Sequence, residues 1–468
     1  MTAPSVDLLR LARSGPVHFM GIGGAGMYAL AEWLVREGGA VTGCDVKRGP
    51  AVARLEELGV AVEIGHAPEH LDGVEALVYT AAVPAAHPEL ARARDLGLPM
   101  LKRAEALGAL VAGGTVVAIA GTHGKTSTTA LTVEVLTAAG LDPTGFGGGR
   151  VASWGGNLRP GSAELFVVEA DEFDRSFHAL TPDVAVVTNV EADHLDIYGD
   201  VEGVRAGFRT FLAGLRGDGA VWICADDPGA AALLTGCPGA RTYGLSAGSM
   251  LRAVEVRHDD RGIRFRVMEE GRDCGAARLH QPGDHNLRNA LAAAGVARSL
   301  GASWDAIREG WDRFRGVGRR FERLGAVAGV EVIDDYAHHP TEIAATLGAV
   351  RSGWPERRLV AVFQPHLFSR TRDFQREFGR ALAGADRVWL TDIFPAREAP
   401  IEGVDGQLLV RTTREAGGDP AYEPDLDRLA EAVAAELEEG DVVVTLGAGS
   451  IDATGPRILA ALEGRLHA

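Results

Sequence analysis

A glycine-rich run, Gly121-Thr122-His123-Gly124-Lys125-Thr126-Ser127, follows a β-branched apolar segment and precedes a helical stretch at 129–139. Such a turn aims backbone amides at phosphate oxygens at the start of a helix, where the dipole favours negative charge. Lys125 then sets a compact ammonium against the β- and γ-phosphates, and the Thr126 hydroxyl is placed to ligate Mg²⁺. The longer eight-residue form of this motif needs glycine at 119, where Ile119 stands, so the loop is a shortened G-x-x-G-K-[ST]. Lysine is rare here: Lys47, Lys102 and Lys125 are the only three among 47 lysines and arginines. Its use in this loop fits a site that needs a point charge rather than a planar fork.

Two further groups have the composition of a site. Gly21-Ile22-Gly23-Gly24-Ala25-Gly26, with Asp45 ending the next strand, is a second turn that lets amides approach a diphosphate. Alone it points to NAD by default, yet the same turn holds any nucleotide diphosphate. Glu169 ends a strand, and Asn189-Val190-Glu191-Ala192-Asp193-His194 follows another. Thr126 with Glu169 would hold one Mg²⁺ through hard oxygens, and His194 could help with a second, although a capping or solvated role suits that histidine equally. Asp171, Glu172 and the acidic stretch 436–439 read as solvated faces.

The elements that must position these residues come from hydrophobic period. Short β-branched runs alternate with Ala/Leu/Glu/Arg stretches, which indicates repeated βα units and mainly parallel sheets, an α/β fold. Strands are expected at 17–20, 40–44, 76–80, 115–120, 165–169, 184–188, 332–334, 359–363, 388–390 and 442–446. In open α/β sheets ligands sit beyond the carboxyl ends of strands. Glycine punctuation at Gly113-Gly114 and Gly316-Val317-Gly318 divides the chain into three domains, 1–108, 109–318 and 319–468. Alternation of Val254, Val256, Ile263, Phe265 and Val267 with polar residues predicts a half-exposed antiparallel excursion in the middle one.

Composition excludes several functions. The 468 residues carry a net charge of −17, which repels polyanions, so neither nucleic acid nor an anionic membrane is an expected partner. Cys44, Cys224, Cys237 and Cys274 lack any C-x-x-C or Cys/His spacing, so no disulfide framework or zinc site is indicated, and a reducing, cytoplasmic home fits. Residues 1–15 lack a leader pattern, and no apolar run is long enough to span a bilayer.

These blocks, with Gly283-Asp284-His285-Asn286-Leu287-Arg288-Asn289-Ala290, Asp334-Asp335-Tyr336-Ala337-His338-His339-Pro340-Thr341-Glu342 and Phe363-Gln364-Pro365-His366, resemble the Mur ligases over essentially the whole chain. Those are ATP-dependent amide-forming enzymes of bacterial cell-wall synthesis, and the likeness is to their alanine-adding branch. The resemblance implies a Rossmann-like first domain, a P-loop ATPase-like middle domain and a Rossmann-like third domain that closes over the site. It implies ATP, UDP-N-acetylmuramate and L-alanine as substrates, Mg²⁺ as cofactor and an acyl phosphate as intermediate; a homodimer is compatible with it.

By position, Gly21, Gly23, Gly24, Gly26 and Met27 would surround the UDP-sugar diphosphate, with His66 nearby. Gly121, Thr122, His123, Gly124, Lys125, Thr126, Ser127, Asn286 and Asn289 would bind ATP, and Thr126, Glu169 and His194 the metal. Arg320, Asp335, Tyr336, His338 and Arg370 would face the reacting carboxylate and the incoming amino acid, with Lys125, Glu169, His194, Arg320, Asp335, His338 and Arg370 as the catalytic set. In that set Asp335 would orient the amine and His338 assist its deprotonation. No lysine follows Lys125, so the carbamylated lysine of later ligases in the series has no counterpart. A recycling ligase that attaches a preformed tripeptide, an NAD-dependent dehydrogenase and a nucleotide-gated binding protein are the competing functions.

Overall fold

The computed structural model describes residues 6–80, 82–396 and 398–466. The first five residues of the stretch 1–15, in which no leader pattern was expected, lie outside the described ones. The chain forms two compact units, one of Met1–Val254, Val267–Gly275 and Arg288–Arg313, the other of Glu255–Arg266, Ala276–Leu287 and Phe314–Ala468.

The first sheet contains β1 (Val17–Met20), β2 (Val41–Asp45), β3 (Ala61–Ile64), β4 (Ala76–Tyr79) and β5 (Met100–Lys102), all parallel, in the order β3-β2-β1-β4-β5. Strand order reverses at β1, where the turn Gly21–Gly26 emerges. That is the position at which such sheets bind ligands.

The second sheet is built on β6 (Thr115–Ala120), β7 (Pro143–Val151), β8 (Gly156–Arg159), β9 (Ser162–Ala170), β10 (Val184–Val187), β11 (Ala220–Cys224) and β12 (Arg241–Gly244). It continues through a meander of β13 (Leu251–Asp259), β14 (Gly262–Glu269) and β15 (Arg272–Leu279). The order is β15-β14-β13-β12-β11-β10-β6-β9-β7-β8. The expected alternation holds on β14, where Ile263, Phe265 and Val267 are buried. The glycines of β7 hid that strand from a search for β-branched runs.

The third sheet, in the second unit, comprises β16 (Glu322–Val327), β17 (Val330–Asp335), β18 (Leu359–Phe363), β19 (Arg387–Leu390), β20 (Pro420–Tyr422) and β21 (Val442–Leu446). Its order is β16-β17-β21-β18-β19-β20, parallel except for β16. Successive residues point to opposite faces. Thus Ile333, Ala361 and Val444 enter one apolar cluster, while Val332, Val360 and Val443 enter another, and the sheet is buried on both sides. Such burial explains why its central strands read as continuous apolar runs. All ten strands expected from sequence are present. Among the described residues no helix is long and apolar enough to cross a membrane.

Candidate active site

Strand β6 is apolar and buried from Val116 onward and stops at Gly121, whose φ of +138° turns the chain sharply. Gly124 adopts the left-handed conformation and caps the helix Lys125–Ala138, which starts four residues before the helical stretch expected from sequence. A side chain at either glycine would force its neighbours to move. A Cβ on Gly121 would lie 1.9 Å from Thr188 Oγ1, and one on Gly124 2.8 Å from Asn289 Oδ1.

Register brings the other polar segments to this loop. Val187 pairs with Ala120, so the chain after β10 runs alongside residues 121–123. Asn189 accepts from the His123 amide at 2.7 Å and donates to the His123 carbonyl at 3.0 Å, while Thr122 Oγ1 accepts from the Glu191 amide at 3.0 Å. The motif 189–194 therefore clamps the loop in shape. His194 itself has a positive φ and caps a short helix; its ring contacts are with Asp193 and Phe173.

Lys125 corrects one expectation. Its ammonium donates to the carbonyls of Gly121 and Thr122 and, at 2.7 Å, to Glu172 Oε2. Glu172 is not a solvated acid: it is 2% exposed, because the turn after β9 folds it under the loop. Asp171 remains partly exposed, 3.8 Å from Arg103. Burial alone would depress the Lys125 pKa, but Glu172, Asp171 and Glu169 outweigh it and hold the ammonium above its usual range. The lysine is a charged group at any physiological pH.

Strand β9 pairs with β6 so that Glu169 faces Ile119, which sets its carboxylate beside the first turn of the loop helix. Thr126 Oγ1 donates to Glu169 Oε1 at 3.2 Å, and the Gly148 amide donates to Oε2 at 2.7 Å. Glu169 and Gly148 also line a cavity of about 260 Å³ with Gly26, Arg103, Phe146 and Asp171. The glycine turn of the first sheet and the acid beside the second sheet's loop thus open into one space. Lys102 to Asp174 at 3.1 Å and Asn157 Nδ2 to the Ala25 carbonyl at 2.5 Å join the two sheets around it.

In the first turn, Gly21 has a φ of +75°, Gly24 caps the helix Ala25–Arg36, and Gly26 and Met27 lie in that helix's first turn, with Met27 buried. A Cβ on Gly26 would sit 2.8 Å from Arg103 Cδ. Asp45, the acid that a dinucleotide reading would turn to a ribose, accepts from the Gly23 amide at 2.8 Å. His66 turns inward, with Nδ1 3.2 Å from Cys44 Sγ and 3.4 Å from Glu89 Oε2.

Asn286 and Asn289 stand three residues apart on the helix Asp284–Ser299, so they share a face. Both are buried, and Asn286 donates to the Pro282 carbonyl at 2.8 Å. Asn289 packs on Gly124, which links this helix to the phosphate loop.

In the second unit, the ends of β17, β18 and β21 are in register, Asp335 beside Leu446 and Phe363 beside the same Leu446. The chain beyond β17 enters the helix Pro340–Gly353, with proline at its first turn and a capping box between His339 and Glu342. Tyr336 lies against the guanidinium groups of Arg319 and Arg320, 5.1 and 4.9 Å from its ring centre. Arg320 lies 3.7 Å from Glu342, which also accepts from the His338 amide at 3.0 Å. Burial, together with Arg370 and Arg320, lowers the His338 pKa against the opposing pull of Glu342, so its imidazole is neutral near pH 7. Asp335 is buried, and both oxygens accept backbone amides, from Phe321 at 2.7 Å and Ala337 at 2.8 Å. Burial raises its pKa to about 6 despite Arg320. Sequence reasoning missed Glu342 and Glu172, because an acid in a helix turn or a loop carries no signal of burial.

Three family models match in succession: the Mur ligase family, catalytic domain, at residues 16–115, the Mur ligase middle domain at 119–297, and the Mur ligase, glutamate ligase domain, at 319–449. The chain is 43% identical over 445 residues to a UDP-N-acetylmuramate--L-alanine ligase of Salinibacter ruber, covering 94% of each chain. It is 45% identical to one of Oleidesulfovibrio alaskensis, covering 94% of this chain and 97% of that one. Among solved structures, the UDP-N-acetylmuramate-alanine ligase of Thermotoga maritima superposes with a TM-score of 0.81 at 28% identity, covering 96% of this chain and all of that one. A murein peptide ligase of Psychrobacter arcticus shares the fold, with a TM-score of 0.68 at 24% identity over 96% of this chain and 98% of that one.

Proposed function

Because the chain belongs to the Mur ligase family, we propose that it joins L-alanine to the lactyl carboxylate of UDP-N-acetylmuramate, converting ATP to ADP and phosphate, as its similar relatives are named for doing. The observation that carries this is the shared cavity: Gly26 beside the first glycine turn and Glu169 beside the phosphate loop line one space. A UDP-sugar held at that turn would extend its carboxylate toward the γ-phosphate held at that loop.

A carboxylate is inert toward amines until it carries a leaving group. Attack of the lactyl carboxylate on the γ-phosphorus forms the acyl phosphate and releases ADP; attack of the alanine amine on the acyl carbon then forms the amide and releases phosphate. Amides of the loop and the Lys125 ammonium stabilise charge on the transferring group. The hydroxyl of Thr126 and the carboxylate of Glu169 are hard oxygen donors 3.2 Å apart, which fits Mg²⁺, and His194 would help to hold a second ion. Held by these residues, Mg²⁺ would supply positive charge to offset that of the γ-phosphate.

In the third domain, Arg320 and Arg370 would bind the phosphorylated carboxyl group. The neutral imidazole of His338 would accept a proton from the alanine ammonium, which must be deprotonated before it attacks. Asp335, engaged by two backbone amides, serves by bracing the turn that presents Tyr336 and His338. On this reading domains 1–108, 109–318 and 319–468 would take UDP-sugar, ATP and amino acid, and a cytoplasmic reaction accords with the use of ATP and a UDP-sugar.

The test is phosphate release from ATP with UDP-N-acetylmuramate and a panel of amino acids, plus a preformed tripeptide. Release that requires both the UDP-sugar and L-alanine is expected. Release driven by the tripeptide instead would replace this assignment with the recycling reaction.

A further inference from the structure

The first sheet gathers a second constellation that the ligase reaction does not use. His18 from β1, Cys44 from β2, His70 from the turn Pro68–Leu71 and Glu89 from the helix Pro88–Asp95 converge, with one ligand atom from each inside 4.8 Å of all the others. Cys44 and Glu89 are fully buried and His18 is 1% exposed. We propose that this cluster is a structural binding site for a zinc-class divalent transition ion.

Four observations carry the assignment. Around a tetrahedral zinc with bonds of about 2.0–2.3 Å, neighbouring ligand atoms lie roughly 3.3–3.8 Å apart. Here His18 Nε2 is 3.4 Å from Cys44 Sγ, Cys44 Sγ is 3.5 and 3.6 Å from the two Glu89 oxygens, and His70 Nδ1 is 3.0 Å from Glu89 Oε1. The donors are sulfur, nitrogen and one carboxylate, the set that selects zinc over the oxygen-seeking Mg²⁺ and Ca²⁺.

Charge closes as well. Glu89 is a fully buried carboxylate with imidazole nitrogens of His66 and His70 at 3.4 and 3.0 Å. A divalent ion entering would release the thiol proton of Cys44 to solvent, leaving thiolate, carboxylate, two neutral imidazoles and a 2+ ion, a site of zero net charge.

An outer shell is also in place. His18 Nδ1 lies 3.0 Å from Thr42 Oγ1, leaving Nε2 facing the cluster, as ligating histidines are oriented in metal sites. The Ala67 amide donates to Glu89 Oε1 at 2.9 Å. The Cys44 carbonyl, in turn, accepts from the amides of Gly21 and Ile22 at 2.8 and 3.1 Å. An ion on Cys44 would therefore stiffen the first glycine turn from behind. Spacing in the sequence gave no sign of this, because the four ligands are collected from four separate elements.

The test uses the full chain, free of any tag, from zinc-supplemented cells. Elemental analysis should find one zinc per chain. Replacement by Co²⁺ should produce a thiolate-to-cobalt absorption that is lost in Cys44→Ala and kept in Cys274→Ala. Thr42→Val, which keeps all four ligands and removes only the hydroxyl beside His18 Nδ1, should weaken affinity by about 10–100-fold. If Cys44→Ala does not fold by circular dichroism, His70→Gln and Glu89→Gln take its place. Wild-type protein with substoichiometric zinc and no thiolate–cobalt band overturns the proposal, as does zinc that survives in every folded ligand variant.

Discussion

The ammonium of Lys125 lies 2.7 Å from a carboxylate oxygen of Glu172, the two side chains being 12% and 3% exposed. A cation positioned to meet phosphate is thus already paired beneath the loop, and Glu172 sets where it points.

Lys125→Ala should lower turnover by ~10²–10³-fold, the loss typical of removing one transition-state charge contact. Lys125→Arg should recover little of it, because a planar fork does not fit a pocket built around three acceptors for a point charge. Steady-state phosphate release measures both, and near-normal turnover in the alanine variant would sink the loop assignment.

Glu172→Gln should destabilise the fold by about 1–3 kcal/mol, since the buried ammonium loses its charged partner. ATP should restore much of that loss by supplying new negative charge to Lys125. Urea unfolding with and without nucleotide checks this; equal destabilisation in both conditions would mean that the lysine does not meet phosphate.

Gly124→Ala should raise the KM for ATP by about 5–30-fold, the equivalent of ~1–2 kcal/mol of left-handed strain. The added methyl also meets Asn289. An unchanged KM would show that the loop does not need this conformation to bind nucleotide.

The raised pKa of Asp335, about 6 against an ordinary 3.8, makes a signed prediction for stability. In that window the folded state binds more protons than the unfolded chain, so stability falls as pH rises through it. The cost, ~1–3 kcal/mol, is complete once pH passes the folded-state value. Denaturant unfolding from pH 4 to 7 should show this downward slope in the wild type and a flatter one in Asp335→Asn. A parallel pair of curves would count against it.

Much of the molecule was legible from residue order alone. The turn at 121–127, the strands that deliver Glu169, Asn189 and Asp335 to sheet edges, and the α/β class all follow from local rules. Those rules cover glycine where amides must approach a ligand, β-branched runs for buried parallel strands, and proline at the first turn of the helix Pro340–Gly353. Such signals are contained within about ten residues, so no knowledge of the fold is needed to read them.

Only the tertiary structure decided what those local pieces meet. Whether Glu172 is a surface acid or the buried partner of Lys125 depends on a turn packed 47 residues away. The cavity joining Gly26 to Glu169 exists because two sheets are pressed together, and the cluster of His18, Cys44, His70 and Glu89 because four elements of one sheet layer converge. Burial and charge pairing are properties of distance in space, and a chain's order in sequence carries no measure of that distance until the sheets are assembled.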